Sequence, residues 1–298
     1  MKKTTLIAAL AVTLAAVPAF ATTDYYEDFE GFIGGGAGSA SWGVDATGTA
    51  WVHPFGGNAD IGFFDVAGYP DDPTSAVQFS SLQNDTMQST DTVSPPIGNA
   101  TTPYAISFAL KLDDNSSPGS FVQMLTTNNF VSPGPGFTQG LMVQIWGNDF
   151  LNSGDPSFFV VTPFNPGNGA PLLSVTGVPN ILGGANGFDA TGATWNVVIL
   201  VCDPANSIMR AWVNPTSNTA TPDINSTSFQ FGASDAPQFL SIGSYVFSAD
   251  STPGTERIVT MDTLKITSGQ PDLNLLFQEV YAGYSTLAGA NVQAWDLY

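Results

Sequence analysis

The sequence predicts an all-β protein, a two-sheet antiparallel jelly-roll sandwich closed by a short C-terminal helix. Three observations predict it. Gly (31) and Pro (21) are abundant among the 298 residues and punctuate short apolar runs. Those runs alternate apolar and polar residues with period two, as a strand with one buried face requires. The last thirty or so residues switch to a helical period.

The first element is a leader. Lys2 and Lys3 precede an apolar run from Leu6 to Val17, and Ala19-Phe20-Ala21 is a small-x-small cleavage site. The run is too short to span a membrane, which needs about 20 residues, and no later segment is long and apolar enough. Residues 1–21 therefore read as a signal peptide of bacterial style. The expected destination is outside the cytoplasm: secreted, at the cell surface, or periplasmic.

Without the leader, Lys111, Arg210, Arg257 and Lys265 stand against 25 acids, a formal charge of −21. So acidic a surface repels nucleic acid and anionic membrane. Cys202 is the single cysteine, so no internal disulfide forms and the core must hold the fold. A hydrophobic content of 43% with 21 Phe supplies one.

Strands follow in order. Tyr104 to Leu112 places Tyr104, Ile106, Phe108, Leu110 and Leu112 on one face, and Ala105, Ser107, Ala109 and Lys111 on the other. Further runs are Phe121 to Thr126, Leu141 to Trp146, Phe158 to Thr162, Trp195 to Cys202, Ile208 to Val213, Phe239 to Phe247 and Ile258 to Ile266. Turn signals separate them, among them Asp113-Asp114-Asn115 and Asp203-Pro204-Ala205-Asn206. About a dozen such strands without an internal repeat make one sandwich domain, residues 22–268. In the tail, 269–298, Leu273, Leu276, Phe277, Val280, Tyr281, Tyr284 and Leu287 form a helical stripe, with Asp272 as N-cap and Gly289 as stop. That helix is expected to dock on its own sandwich in preference to another protein.

Three segments in order resemble the concanavalin A-like lectin/glucanase superfamily, including its laminin-G-like domains. They are Asp28-Phe29-Glu30-Gly31, then Thr194-Trp195-Asn196-Val197-Val198 running to Trp212-Val213-Asn214, then Met261-Asp262-Thr263-Leu264-Lys265-Ile266. The resemblance covers the mature domain and implies a sandwich whose first and last strands lie together. It does not choose among lectins, glycosidases, lyases and adhesion modules.

The residue inventory argues against catalysis, and no catalytic residue is assigned. A glycosidase needs two placed carboxylates. The four Glu are Glu27, Glu30, Glu256 and Glu279, and none makes the superfamily's Glu-x-Asp-x-x-Glu strand. His53, beside Pro54, is the single histidine and reads as a loop residue. One His and one Cys cannot make a tetrahedral zinc set, and Cys202 reads as a buried inert thiol.

Two binding chemistries remain. Asp262 shares its parity with Ile258, Leu264 and Ile266 and is expected to point inward, with Arg257 and Lys265 on the opposite face. An inward carboxylate needs a partner. With the implied pairing of first and last strands, Asp28, Glu30 and Asp262 gather as ligands for a structural Ca²⁺. The alternative is that Asp262 accepts backbone hydrogen bonds at a strand edge. For saccharide, Gln144, Trp146 and Asn148 face away from the core; beside the small Ala105, Ser107 and Ala109, if those strands neighbour, they make a groove with a Trp floor. Trp42, Trp51 and Tyr69, in N-terminal loops, are expected to rim it. Trp195 and Trp212 read as core.

The expected function is a secreted, non-catalytic module that binds extracellular polysaccharide, glycan or matrix, with structural calcium. A structural or adhesive surface protein, acting through protein contacts of the C-terminal helix, is the alternative. A divergent polysaccharide hydrolase or lyase is the weaker one.

Overall fold

The computed structural model describes residues 20–27, 41–44, 50–52, 62–66, 69, 76–81, 85–89, 102–113, 120–127, 142–146, 157–162, 174–178, 194–229, 231, 239–246 and 257–285. The strands are β1 (Thr22–Glu27), β2 (Ser41–Val44), β3 (Ala50–Val52), β4 (Gly62–Val66), β5 (Ala76–Ser81), β6 (Asp85–Ser89), β7 (Tyr104–Asp113) and β8 (Ser120–Thr127). They continue with β9 (Met142–Trp146), β10 (Ser157–Thr162), β11 (Ser174–Val178), β12 (Asn196–Asp203), β13 (Ile208–Val213), β14 (Ile224–Ser226), β15 (Phe239–Val246) and β16 (Arg257–Ser268). The helix α1 (Leu273–Ser285) follows.

The strands form two eight-stranded sheets, and every described strand pairing is antiparallel. The first sheet runs β14-β13-β12-β7-β16-β5-β4, with β1 also on β16; the second runs β11-β10-β9-β8-β15-β6-β3-β2. The all-β expectation holds, with one short α-helix among the described residues. Trp42 and Trp51, expected in loops, stand on β2 and β3 at one edge of the second sheet.

Alternation builds the centre of the first sheet. Ile106, Phe108 and Leu110 of β7 are fully buried, as are Val198, Leu200 and Cys202 of β12, and Met209, Ala211 and Val213 of β13. The buried thiol of Cys202 is thus a core side chain. The turn between β12 and β13 is the one the sequence signals: Asp203 accepts from the Asn206 backbone and side chain, and Ser207 turns left-handed at φ 57°.

Asn214 closes the other end of that hairpin at φ 48°. Its Oδ1 accepts the Val197 amide at 2.8 Å, and its Nδ2 donates to Asn196 Oδ1 at 3.0 Å. Asn is one of the few residues that adopts this conformation readily, which accounts for the Trp-Val-Asn ending. Trp212 is buried, and its Nε1 donates to the Ala220 carbonyl at 2.9 Å.

The other face of β7 carries only Ala105, Ser107 and Ala109 among its buried residues. These small side chains leave room for a layer on top, and α1 fills it. Asp272 Oδ1 accepts the Asn274 and Leu275 amides at 2.8 and 3.1 Å, so it caps the helix as predicted. Leu273, Leu276, Phe277, Val280 and Tyr284 are buried against Val197, Ile199, Val201 and Trp212. Phe277 stacks on Trp212 with ring centroids 4.0 Å apart and planes 11° from parallel. Burial of each large apolar side chain contributes about 1.5–3 kcal/mol. The helix docks on its own sandwich; Leu287 and Gly289 lie outside the described residues.

Candidate functional site

The candidate residues fall in two places: beneath α1 on the first sheet, and on the strands of the second. Asp262 belongs to the first place. Along one edge, β16 pairs with β5 as far as Met261↔Val77, and then with β1 from Leu264↔Glu27. Asp262 and Thr263 lie at the seam. There the register to β7 on the other edge also shifts, between Asp262↔Ala109 and Lys265↔Ser107. Thr263 takes φ 51° to make the bulge.

A bulge leaves backbone groups without ladder partners, and buried ones must find others. Asp262 Oδ1 accepts the Thr263 amide at 2.6 Å, and its Oδ2 accepts the Tyr69 amide at 2.7 Å. The Thr263 carbonyl is met by the Tyr284 hydroxyl at 2.6 Å. Asp262 is completely buried. It is therefore the carboxylate at a strand edge that serves backbone amides.

The extra residue also corrects the expected parity. Asp262 stands opposite Ala109 and Lys265 opposite Ser107, so both share the α1-facing side. Ile266 stands opposite Ile106, on the interior side. Asp262 does not point inward with Leu264 and Ile266, and Lys265 is on its own face. Lys265 Nζ lies 4.8 Å from the Tyr26 ring centroid and 5.5 Å from that of Tyr284, within cation–π range. Burial lowers the Lys265 pKa, and the negative charge of Asp262 opposes that shift.

Tyr284 completes the cluster. Its hydroxyl is hydrogen-bonded to Thr263 O and lies 3.1 Å from Ser107 Oγ. Burial, the largest influence, raises its pKa strongly. A Ser, Tyr and Lys so placed suggest proton chemistry, but Tyr284 is 1% exposed and Ser107 0%. A general acid or base must reach the substrate's proton; among the described residues, the Tyr284 hydroxyl contacts Thr263 O and Ser107 Oγ.

Of the expected calcium set, Asp262 alone lies among the described residues. β1 does pair with β16, as the resemblance implies. Asp28 and Glu30 lie outside the described residues. Both Asp262 oxygens accept backbone amides, and Lys265 lies on the same face. Among the described residues, no group of three His, Cys, Asp or Glu stands close enough to hold a metal.

The saccharide set divides likewise. The condition that β7 neighbours β9 is not met: β7 lies between β12 and β16, while β9 lies between β8 and β10 in the other sheet. The small residues of β7 lie under α1 instead. Tyr69 does not rim a groove; it is 3% exposed, with its ring edge-on to Trp195 (5.4 Å) and Tyr284 (6.2 Å). Trp195 is half-buried and capped by Lys111, whose Nζ lies 5.1 Å from the ring centroid. Gln144 and Trp146 are on β9, where Trp146 pairs with Ser157 and Phe121. Trp42 and Trp51 are on adjacent strands, each one residue from the Ser41↔Val52 pair. Asn148 lies outside the described residues. Sequence reasoning missed the Tyr69–Asp262–Lys265–Tyr284 cluster, although Asp262 within a closing strand was its one visible sign.

No protein-family model matches the chain, and no curated protein does. Solved structures do. The binding domain of botulinum neurotoxin serotype G superposes with a TM-score of 0.53 at 11% identity, over 89% of this chain and 52% of that one. A second solved structure, described as a receptor-binding domain, superposes with a TM-score of 0.51 at 9% identity, over 81% of this chain and 47% of that one. The chain thus spans about half the length of these structures. Identities this low establish a shared β-sandwich fold and nothing finer.

Proposed function

We propose that this protein is an exported, non-catalytic module that binds extracellular polysaccharide or glycan through its second sheet. The observation that carries this reading is the coverage of the first sheet. There α1, Tyr69 and Trp195 occupy the outer face over β7, β12 and β16. A flat sugar platform on that face has no room. The second sheet carries Gln144 and Trp146 on β9, and Trp51 and Trp42 on β3 and β2 at its far edge; aromatic and amide residues are what saccharides bind to.

The concanavalin A-like assignment belongs to this proposal. The pairing of β1 with β16 and the structural use of Asn214 support it. The similarity to domains described as binding and receptor-binding is consistent with a binding role. Calcium enters the proposal only through Asp28 and Glu30. The adhesive alternative needs α1 as its contact arm, and α1 turns its apolar stripe onto its own sheet.

The test is a glycan array and polysaccharide pull-down with the leader-processed protein, alongside an assay for reducing ends and unsaturated products. Retention of a defined glycan without product release is expected. Product release establishes the hydrolase or lyase reading instead; no retention by any glycan overturns the proposal.

A further inference from the structure

Glu279 sits midway along α1, yet it contacts the start of the first strand. Its Oε2 accepts the backbone amide of Ala21 at 2.7 Å. Its Oε1 accepts from Gln270 Nε2 at 3.3 Å, and Gln270 in turn accepts the Asp272 amide at 3.1 Å. The carboxylate is therefore steadied by the segment that joins β16 to α1. Gly269 makes that junction at φ 90°, close enough that a Cβ there would meet Phe20 O and Thr22 Oγ1 at 3.4 Å. Thr22 is held as the first paired residue of β1, opposite Ser268.

Ala21 is also the last residue of the small-x-small cleavage site. We infer that Glu279 is the binding site for the N-terminal ammonium that leader removal creates at Thr22. The inference rests on the export reading proposed above. A processing peptidase adds water across the Ala21–Thr22 bond. The C–N bond breaks, the water oxygen joins the Ala21 carboxylate that departs with the leader, and both water protons end on the Thr22 nitrogen as an ammonium.

Processing thus removes the neutral amide that Glu279 holds and places a positive charge one residue further on. Successive backbone nitrogens are at most about 3.7 Å apart, so that charge forms within about 6.5 Å of Oε2 before any side-chain movement. Glu279 is exposed, and the proposed pair requires its side chain to turn toward Thr22 across the remaining gap. The pair joins the first strand to the last helix, the two elements flanking the bulge on β16.

The chain is exported from a bacterial host with its own leader, and intact mass identifies the first residue. Trace acetylation at neutral pH then compares the α-amino group in the wild type and in Glu279→Gln, with Lys111 and Lys265 as internal standards. Only the neutral amine reacts, and an ion pair that raises the α-amino pKa from its usual value of about 7.7–8.0 by roughly half a unit slows it about threefold. The expected result is a chain beginning at Thr22, acetylated about threefold faster in Glu279→Gln. Glu279→Asp, which keeps the charge and shortens the reach, serves as the second variant and should fall between them. Equal rates in a chain that begins at Thr22 overturn the pairing and leave the export reading standing. A chain that retains residues 1–21 overturns both, and any other first residue overturns the pairing.

Discussion

The Tyr284 hydroxyl meets the Thr263 carbonyl at 2.6 Å, joining the last turns of α1 to the bulge in β16. The bulge frees a carbonyl and an amide on one residue; Tyr284 takes the first and Asp262 the second. The C-terminal helix is therefore part of how the first sheet is completed, and its apolar stripe is one half of a buried layer.

Tyr284→Phe keeps the packing and removes that hydrogen bond, leaving a buried carbonyl unpaired. An unpaired buried group costs about 1–3 kcal/mol. Chemical denaturation should show a loss of that size, with an unchanged dependence on denaturant concentration. A loss below about 0.5 kcal/mol contradicts the role assigned to the hydroxyl.

Thr263 is a β-branched residue at positive φ, and its buried Oγ1 has no hydrogen-bond partner among the described residues. Such a conformation costs about 1–3 kcal/mol, against about 0.5–1 kcal/mol for the extra freedom of glycine in the unfolded chain. Thr263→Gly should therefore raise stability by about 1 kcal/mol in urea unfolding. A loss of stability contradicts the bulge geometry.

Lys265 gives a pH dependence of definite sign. Burial lowers its pKa in the folded protein, while the unfolded value is 10.5. Between the two, the unfolded chain binds more protons, so this group makes stability rise with pH. The penalty is fully present below the folded pKa and disappears as pH rises to 10.5. Urea midpoints from pH 7 upward should show the wild type gaining on Lys265→Met. A wild type that loses ground over this range contradicts the assignment.

Asp262→Asn separates the two readings of the buried carboxylate. One of the two charge-assisted acceptors is replaced by an amide nitrogen, with an expected cost of about 1–3 kcal/mol. Thermal melts should show the same loss in calcium and in chelator. A larger loss in calcium makes Asp262 a metal ligand. Any calcium response that wild type and variant share reports on Asp28 and Glu30.

Much of this was legible in local pattern. The alternation in Tyr104 to Leu110 and the stripe from Leu273 to Tyr284 each arise from one element's own periodicity, and both elements form with the expected faces. The capping by Asp272 is equally local. The bulge at Thr263 was hidden, because a β-branched residue is a poor signal for positive φ. A one-residue slip reverses every later side chain, so Lys265 came to lie beside Asp262. Tyr69 has no periodic neighbourhood to mark it as buried. Which strands neighbour β7 is a long-range property, and short-range alternation carries no information about it. The groove built on β7 beside β9 failed for that reason.

The outer face of the first sheet over β7, β12 and β16 is closed by α1, and the proposed glycan site lies on the second sheet. The most direct measurement is calorimetric titration of the glycan retained on the array into the wild type, Trp146→Ala and Trp195→Ala. Loss of a stacked aromatic platform weakens binding by roughly tenfold, taking about 1.4 kcal/mol for an aromatic stacking contact. That loss is expected in Trp146→Ala, with wild-type affinity in Trp195→Ala once the variant is shown to be folded. Unchanged affinity in Trp146→Ala, with a loss in Trp195→Ala, would place the ligand on the first sheet and contradict the proposed site.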